Sequence, residues 1–201
     1  AKRDSLWIGW NGMIADEPGE ATRRRVRRTE IVGFGLTPQM HAGFYTGFAN
    51  GTLWPLFHYR LGLVEFKRSD YQAYLETSAR IAELVRRNLQ PGDTLWVHDF
   101  HLLPLARELR KLGVIQQIGF FLHIPFPPAE FFRSLPVHRD LAEAMSHFDL
   151  VGFQTQTCRK QFADYAGSND PSFAEIGGRR VASPAGEVAS GMATAFIKSE
   201  L

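Results

Sequence analysis

This 201-residue sequence predicts an open, doubly wound α/β domain of Rossmann-like type on a parallel sheet. Three observations carry that expectation. From Thr29 onward, short apolar runs alternate with stretches of helical periodicity; Gly, Pro and polar turn residues separate them; and successive apolar runs end in polar or titratable residues. Strands that alternate with helices form βαβ units, whose right-handed crossovers build a parallel sheet covered on both faces.

Taken in order, Ile31 to Leu36 is a short apolar run followed by turn residues. The preceding "RRRVRR", Arg23 to Arg28, reads as a solvated loop, with a phosphate-binding patch as the functional alternative. Phe44 to Tyr59 reads as an aromatic loop carrying Phe44, Tyr45, Phe48, Trp54, Phe57, His58 and Tyr59. Ser69 is positioned to cap a helix carrying Tyr71, Tyr74, Leu75, Ser78, Ile81, Ala82, Val85 and Leu89, which Pro91-Gly92 stops. Thr94 to Val97 is a buried strand, and "LLPLARELRKLG" a helix ending at Gly113. Gln117 to Leu122 is the next strand, followed by helical "AEFFRSL" and a second helix over Arg139 to His147. Asp149 to Phe153 is a strand, and "TQTCRKQFADYAG" a helix. Beyond Gly167 the pattern loosens into a loop-like stretch, and "TAFIK" offers a last short strand.

Composition narrows the function classes. The 23 Lys and Arg against 21 Asp and Glu leave a net charge of +2, which gives no bulk preference for nucleic acid or an anionic membrane. Cys158 is the single cysteine, so there is no intramolecular disulfide and no Cys-rich zinc module, and a reducing, cytoplasmic setting is expected. No apolar run approaches the ~20 residues of a membrane span, and the N-terminal residues lack a signal-peptide core.

In open α/β sheets, ligands bind outside the carboxyl ends of the strands. Here the strand over Thr94–Val97 runs into His98, Asp99, Phe100 and His101; the next runs into His123; the third into Gln154 and Thr155. Packing gives no reason for this, so a polar ligand site is expected along that edge. The aromatic stretch suits a sugar, whose apolar C–H patches lie beside hydroxyls, although core burial accounts for such rings equally well. His98, His101, Asp99 and His123 also admit a reading as zinc ligands. Against it, adjacent residues at a strand end point to opposite sides, and no standard ligand spacing is present. No metal is therefore expected. No G-x-G-x-x-G fingerprint occurs, so no dinucleotide cofactor is expected, and Cys158, inside a helix, is no candidate nucleophile.

"LWIGWNG", "FYTGFANGTLWPLFHYRL", "LWVHDFHLLPLARELRK", "IGFFLHIPFPPAEFFRSLP" and "DLVGFQTQTCRKQF" together resemble the N-terminal half of the trehalose-6-phosphate synthases. These are retaining glycosyltransferases of the two-Rossmann-domain (GT-B) type, and the resemblance covers roughly Leu6 to Tyr165. It implies transfer of glucose from UDP-glucose to glucose 6-phosphate, with no cofactor beyond the donor substrate. It implies that Tyr45 binds the acceptor, that Trp54 lines the same pocket and that Trp10 borders it. Asp99 is implied to bind acceptor hydroxyls, and His123 to sit where the two sugars meet. Phe44 and Phe100 stand where the family often has Tyr.

The resemblance also places the family's first strand and its donor-binding domain outside this sequence. Residues 1–195 are then expected to form the acceptor-binding domain and 196–201 to begin a link. One buried sheet edge is expected to lie unpaired, and the isolated chain to be inactive. Small-molecule substrates, no nucleic-acid or membrane partner, and a homo-oligomer are expected. A different acceptor, as in glucosylglycerol-phosphate synthase, a GDP- or ADP-linked donor, or a non-catalytic regulatory role remain open alternatives.

Overall fold

β1 (Ser5–Ile14) pairs in parallel with β3 (Thr29–Leu36), and β2 (Thr22–Val26) closes a hairpin with β3. The computed structural model describes residues 5–16, 21–167, 180–182 and 194–199. The arginine-rich stretch is thus an edge strand with a turn at Arg27 (φ 55°), not a loop. Its exposure on both faces erases the alternation that reveals a half-buried strand, and charged side chains suit an unpaired edge.

The segment after β3 departs most from expectation. A continuous helical segment replaces the aromatic loop: α1 (Pro38–Met40), a π-helical stretch His41–Leu53, and α2 (Trp54–Phe57). The Trp54 N–H bonds the carbonyl of Ala49, five residues back, and the Asn50 side-chain amide donates to the Tyr45 carbonyl at 2.8 Å. Gly43 and Gly47 let this wide helix lie against α3 (Arg68–Asn88). A Cβ on Gly43 would stand 2.6 Å from the Ala73 Cβ, and one on Gly47 would stand 2.5 Å from the Asp70 carboxylate. Glycine here serves close approach, and it also misleads sequence reading, since it is the commonest sign of a loop. Within α3, Ser69 is not the cap; Lys67 precedes the first turn and supplies no side-chain bond.

β4 (Asp93–His98), β5 (Ile118–Leu122) and β6 (Leu150–Phe153) are parallel neighbours, as the alternation predicts. Between and after them run α4 (Leu105–Lys111), α5 (Ala129–Arg133), α6 (His138–Ser146) and α7 (Gln156–Gly167). β7 (Arg180–Ala182) adds in parallel beside β6, inside a stretch expected as loop. The rest of the loop-like stretch lies outside the described residues.

β8 (Thr194–Ser199) overturns the expected unpaired edge. It pairs antiparallel with β1 on one side and β4 on the other, giving the order β2-β3-β1-β8-β4-β5-β6-β7. Residues 196–199, expected to begin a link, therefore lie within the sheet. An extended segment there satisfies two rows of backbone groups that would otherwise lack partners.

Register places Leu6, Ile8, Val32, Leu95, Val97, Phe120, Leu122, Val151 and Phe153 on one face, where they join the core. Against that face pack Tyr74, Ile81 and Val85 of α3, Leu105 and Leu109 of α4, Leu141 of α6 and Phe162 of α7. The opposite face presents Trp7, Trp96, His98 and Phe121, and Gly119 makes room there: a Cβ would fall 2.2 Å from the Trp96 ring.

Candidate functional site

The carboxyl ends of β4, β5 and β6 share one edge, so Asp99, His123 and Gln154 emerge side by side. Asp99 leaves the strand at φ 72°, ψ 164°, an uncommon conformation for a residue with a Cβ. Three bonds impose it. Its N–H still joins the β5 ladder at the Phe121 carbonyl, its carboxylate accepts from the Phe100 N–H at 2.9 Å, and its carbonyl accepts from Leu102.

The short turn that follows (Phe100–Leu102) is anchored from α3. The buried Tyr74 hydroxyl donates to the Phe100 carbonyl at 2.6 Å and accepts from the Leu103 N–H at 3.2 Å. Phe44 and Phe48 of the π-helical stretch pack on the Tyr74 ring. One buried tyrosine thus ties the helix bearing Tyr45 to the turn bearing Asp99 and His101.

Asp99 is almost fully buried, which pushes its carboxyl pKa upward; the N–H groups of Phe100 and His123 and the imidazoles of His123 and His58 counter that shift. His98 bonds His123 directly, Nδ1 to Nε2, at 2.8 Å. Burial depresses His98 to about 4, helped by the neighbouring His123, and burial lowers His123 as well, against the pull of Asp99. Both rings are therefore neutral near pH 7.

On the helical side, the Tyr45 ring lies 5.0 Å from Trp10, 5.4 Å from His41 and 5.3 Å from His101. Trp54 rests on His58 at 4.3 Å, and His58 feels both Arg60 and Asp99. The structure thus brings Trp10 against Tyr45, and Asp99 against His123, while Trp54 reaches Asp99 through His58. A cavity of about 550 Å³ over β1 and β3 takes in Trp7, Trp10, Asn11, Thr22 and Arg24, but not Tyr45, Trp54 or Asp99. Among the described residues no three His, Cys, Asp or Glu side chains are grouped to hold a metal ion, and His98 Nδ1 is engaged by His123.

Sequence reasoning missed His41 and the roles of His58 and His101. His101 is buried with both ring nitrogens lacking a partner among the described residues, and burial brings it to about 4. In the sequence it stands only among the polar residues at the end of the strand over Thr94–Val97 and in the zinc reading set aside above.

A family model for glycosyltransferase family 20 matches residues 1–168. The trehalose-6-phosphate synthase of Cronobacter sakazakii is 47% identical over 161 residues, covering 79% of this chain and 34% of that protein. A UDP-forming α,α-trehalose-phosphate synthase from Burkholderia xenovorans, solved in complex with glucose 6-phosphate, superposes with a TM-score of 0.83 at 36% identity. It covers 90% of this chain and 42% of its own. An E. coli structure bound with UDP-2-fluoro glucose superposes at 0.78 with 43% identity, over 80% of this chain and 36% of its own. The chain spans about a third of the length of the curated relatives it matches. On a family match that covers the whole strand edge and both aromatic clusters, the chain belongs to glycosyltransferase family 20.

Proposed function

We propose that this chain forms the acceptor side of a trehalose-6-phosphate synthase, which transfers glucose from UDP-glucose to glucose 6-phosphate with retention. The observation that carries the reading is the constellation at the β4–β5 edge: a buried Asp99 in a strained backbone, beside His123, in a turn whose His101 stacks on Tyr45, which in turn packs on Trp10. Relatives of 47% identity named as trehalose-6-phosphate synthases, and a solved relative complexed with glucose 6-phosphate, support it.

Retaining transfer without a protein nucleophile sets the acceptor hydroxyl and the leaving phosphate on one face of the donor sugar. The leaving phosphate then takes the acceptor's proton as positive charge develops at the sugar. The protein's contribution is orientation and electrostatics. Asp99 accepts hydrogen bonds from acceptor hydroxyls, its position fixed by the N–H groups of Phe100 and His123. Tyr45 and Trp54 present apolar faces to the acceptor ring, and His123 contacts the donor sugar as a neutral imidazole. A buried site also keeps water from the activated sugar.

Calorimetry tests the acceptor assignment. The chain is expected to bind glucose 6-phosphate in preference to glucose 1-phosphate and glycerol 3-phosphate, with Tyr45→Ala and Asp99→Asn each weakening it. Tighter binding of glycerol 3-phosphate would overturn the acceptor assignment.

A further inference from the structure

Two neutral imidazoles that share one N···N hydrogen bond tie their tautomers to each other. If His98 Nδ1 carries the proton, His123 accepts at Nε2 and must hold its own proton on Nδ1. If His123 Nε2 donates, its Nδ1 is left as an acceptor. Either way the free nitrogen of His123, which has no partner among the described residues, takes its donor or acceptor character from His98.

His98 is itself held still. Its ring lies parallel to Trp7, 6.4 Å away and 2° between planes, and the Trp96 ring meets it edge-on at 6.4 Å. These rings belong to β1 and β4, on the sheet face away from the main core. Offset aromatic packing of this kind fixes a ring plane without competing for its nitrogens. Phe121 packs edge-on to His123 at 4.8 Å, leaving the bond to His98 to decide which way the imidazole faces. Of the groups around the pair, Asp99 is charged and acts on His123, while the facing aromatic rings carry no charge.

We propose that His98 is a positioning residue that selects the tautomer and ring orientation of His123, and so sets whether that histidine donates to or accepts from a sugar hydroxyl. The sugar in this statement rests on the function proposed above; the hold of His98 on His123 does not. Asp99 and His98 then divide the strand end between them: the first faces the acceptor, the second serves the neighbouring strand from the opposite side of the sheet.

Long-range proton–nitrogen spectra of the histidine rings at pH 7.5 test the hold directly in the 201-residue chain. The unsubstituted chain is expected to show one His123 tautomer. His98→Phe keeps the ring packed between Trp7 and Trp96 but removes the bond, and is expected to give a mixture of tautomers. His98→Asn, which returns a hydrogen-bonding amide at the position of Nδ1, is expected to shift the mixture back toward the form seen without substitution. A single unchanged tautomer in His98→Phe, or a mixture already present without substitution, overturns the proposal. In the transfer-competent protein, His98→Phe is expected to lower kcat at least tenfold with little change in KM for the acceptor, and His98→Asn to recover to within about threefold. Should His123→Ala leave transfer intact, the site assignment fails, while a tautomer change in His98→Phe still upholds the hold on the ring.

Discussion

The Tyr45 ring lies over the imidazole of His101, centroids 5.3 Å apart and planes 14° apart, and His101 offers neither nitrogen to any partner among the described residues. A buried polar ring without hydrogen bonds costs stability, and replacing it with an apolar ring of similar shape is close to neutral or favourable. His101→Phe is therefore expected to keep or raise Tm while preserving the Tyr45 stack. A loss of more than about 2 kcal/mol in urea unfolding would show instead that the ring nitrogens are satisfied in solution.

The same residue predicts a pH dependence. His101 titrates near 4 when folded against 6.5 as its ordinary value, because burial disfavours the charged ring. Between those values the unfolded chain binds a proton that the folded chain lacks, so stability falls as pH drops from 6.5 toward 4. Each tenfold change in proton affinity is worth about 1.4 kcal/mol, so His101 accounts for on the order of 3 kcal/mol, and His98 and His123 act in the same direction. Urea midpoints measured from pH 7.5 to 4.5 check this. A flat profile, or one with the same slope in His101→Phe, counts against it.

Asp99→Asn is expected to leave the turn intact, since asparagine has the same size and branching and its amide oxygen can still accept from the Phe100 N–H. On the function proposed above, it removes the charge that orients an acceptor hydroxyl. Turnover in the transfer-competent protein is expected to fall at least about tenfold, or ~1.4 kcal/mol, with unchanged Tm. Steady-state kinetics across acceptor concentrations decide it; unaltered kcat and KM would sink the role.

Gly43→Ala sets a methyl against Ala73 in the contact between the π-helical stretch and α3. Overpacking there is expected to cost about 1–3 kcal/mol. Adding Ala73→Gly should recover most of the loss, because the two small residues share one gap. Failure of the second substitution to rescue would place the strain elsewhere.

Arg107 lies buried on α4 and bonds the carboxylates of Asp140 and Glu143 on α6 at 2.9 and 3.0 Å, while Tyr71 of α3 also donates to Asp140. Arg107→Met keeps the stem's packing and removes the charge. The two acids are nearly half exposed and recover water, so the expected loss is about 2 kcal/mol, below the 3–5 of a fully buried pair. Chemical denaturation monitored by tryptophan fluorescence measures it, and an unchanged midpoint would show the network to be energetically idle.

Local periodicity wrote part of this protein plainly into its sequence. β5 and β6 are continuous apolar runs, β4 carries one over residues 95–97, α3 repeats every three to four residues, and the strand ends carry Asp99, His123 and Gln154. Burial of β5 on both faces and one-sided helix packing impose those patterns directly, so the parallel order and the edge that bears the candidate site were both legible. Long-range contacts settled the rest. β2 alternates nothing because neither of its faces is buried. The π-helical stretch owes its glycines to the close approach of α3, a reason visible only once the two helices meet. β8 takes its place between β1 and β4 through backbone pairing, which leaves no trace in side-chain pattern. The bond from His98 to His123 joins adjacent strands 25 residues apart in sequence, and only the register of β4 against β5 sets that distance.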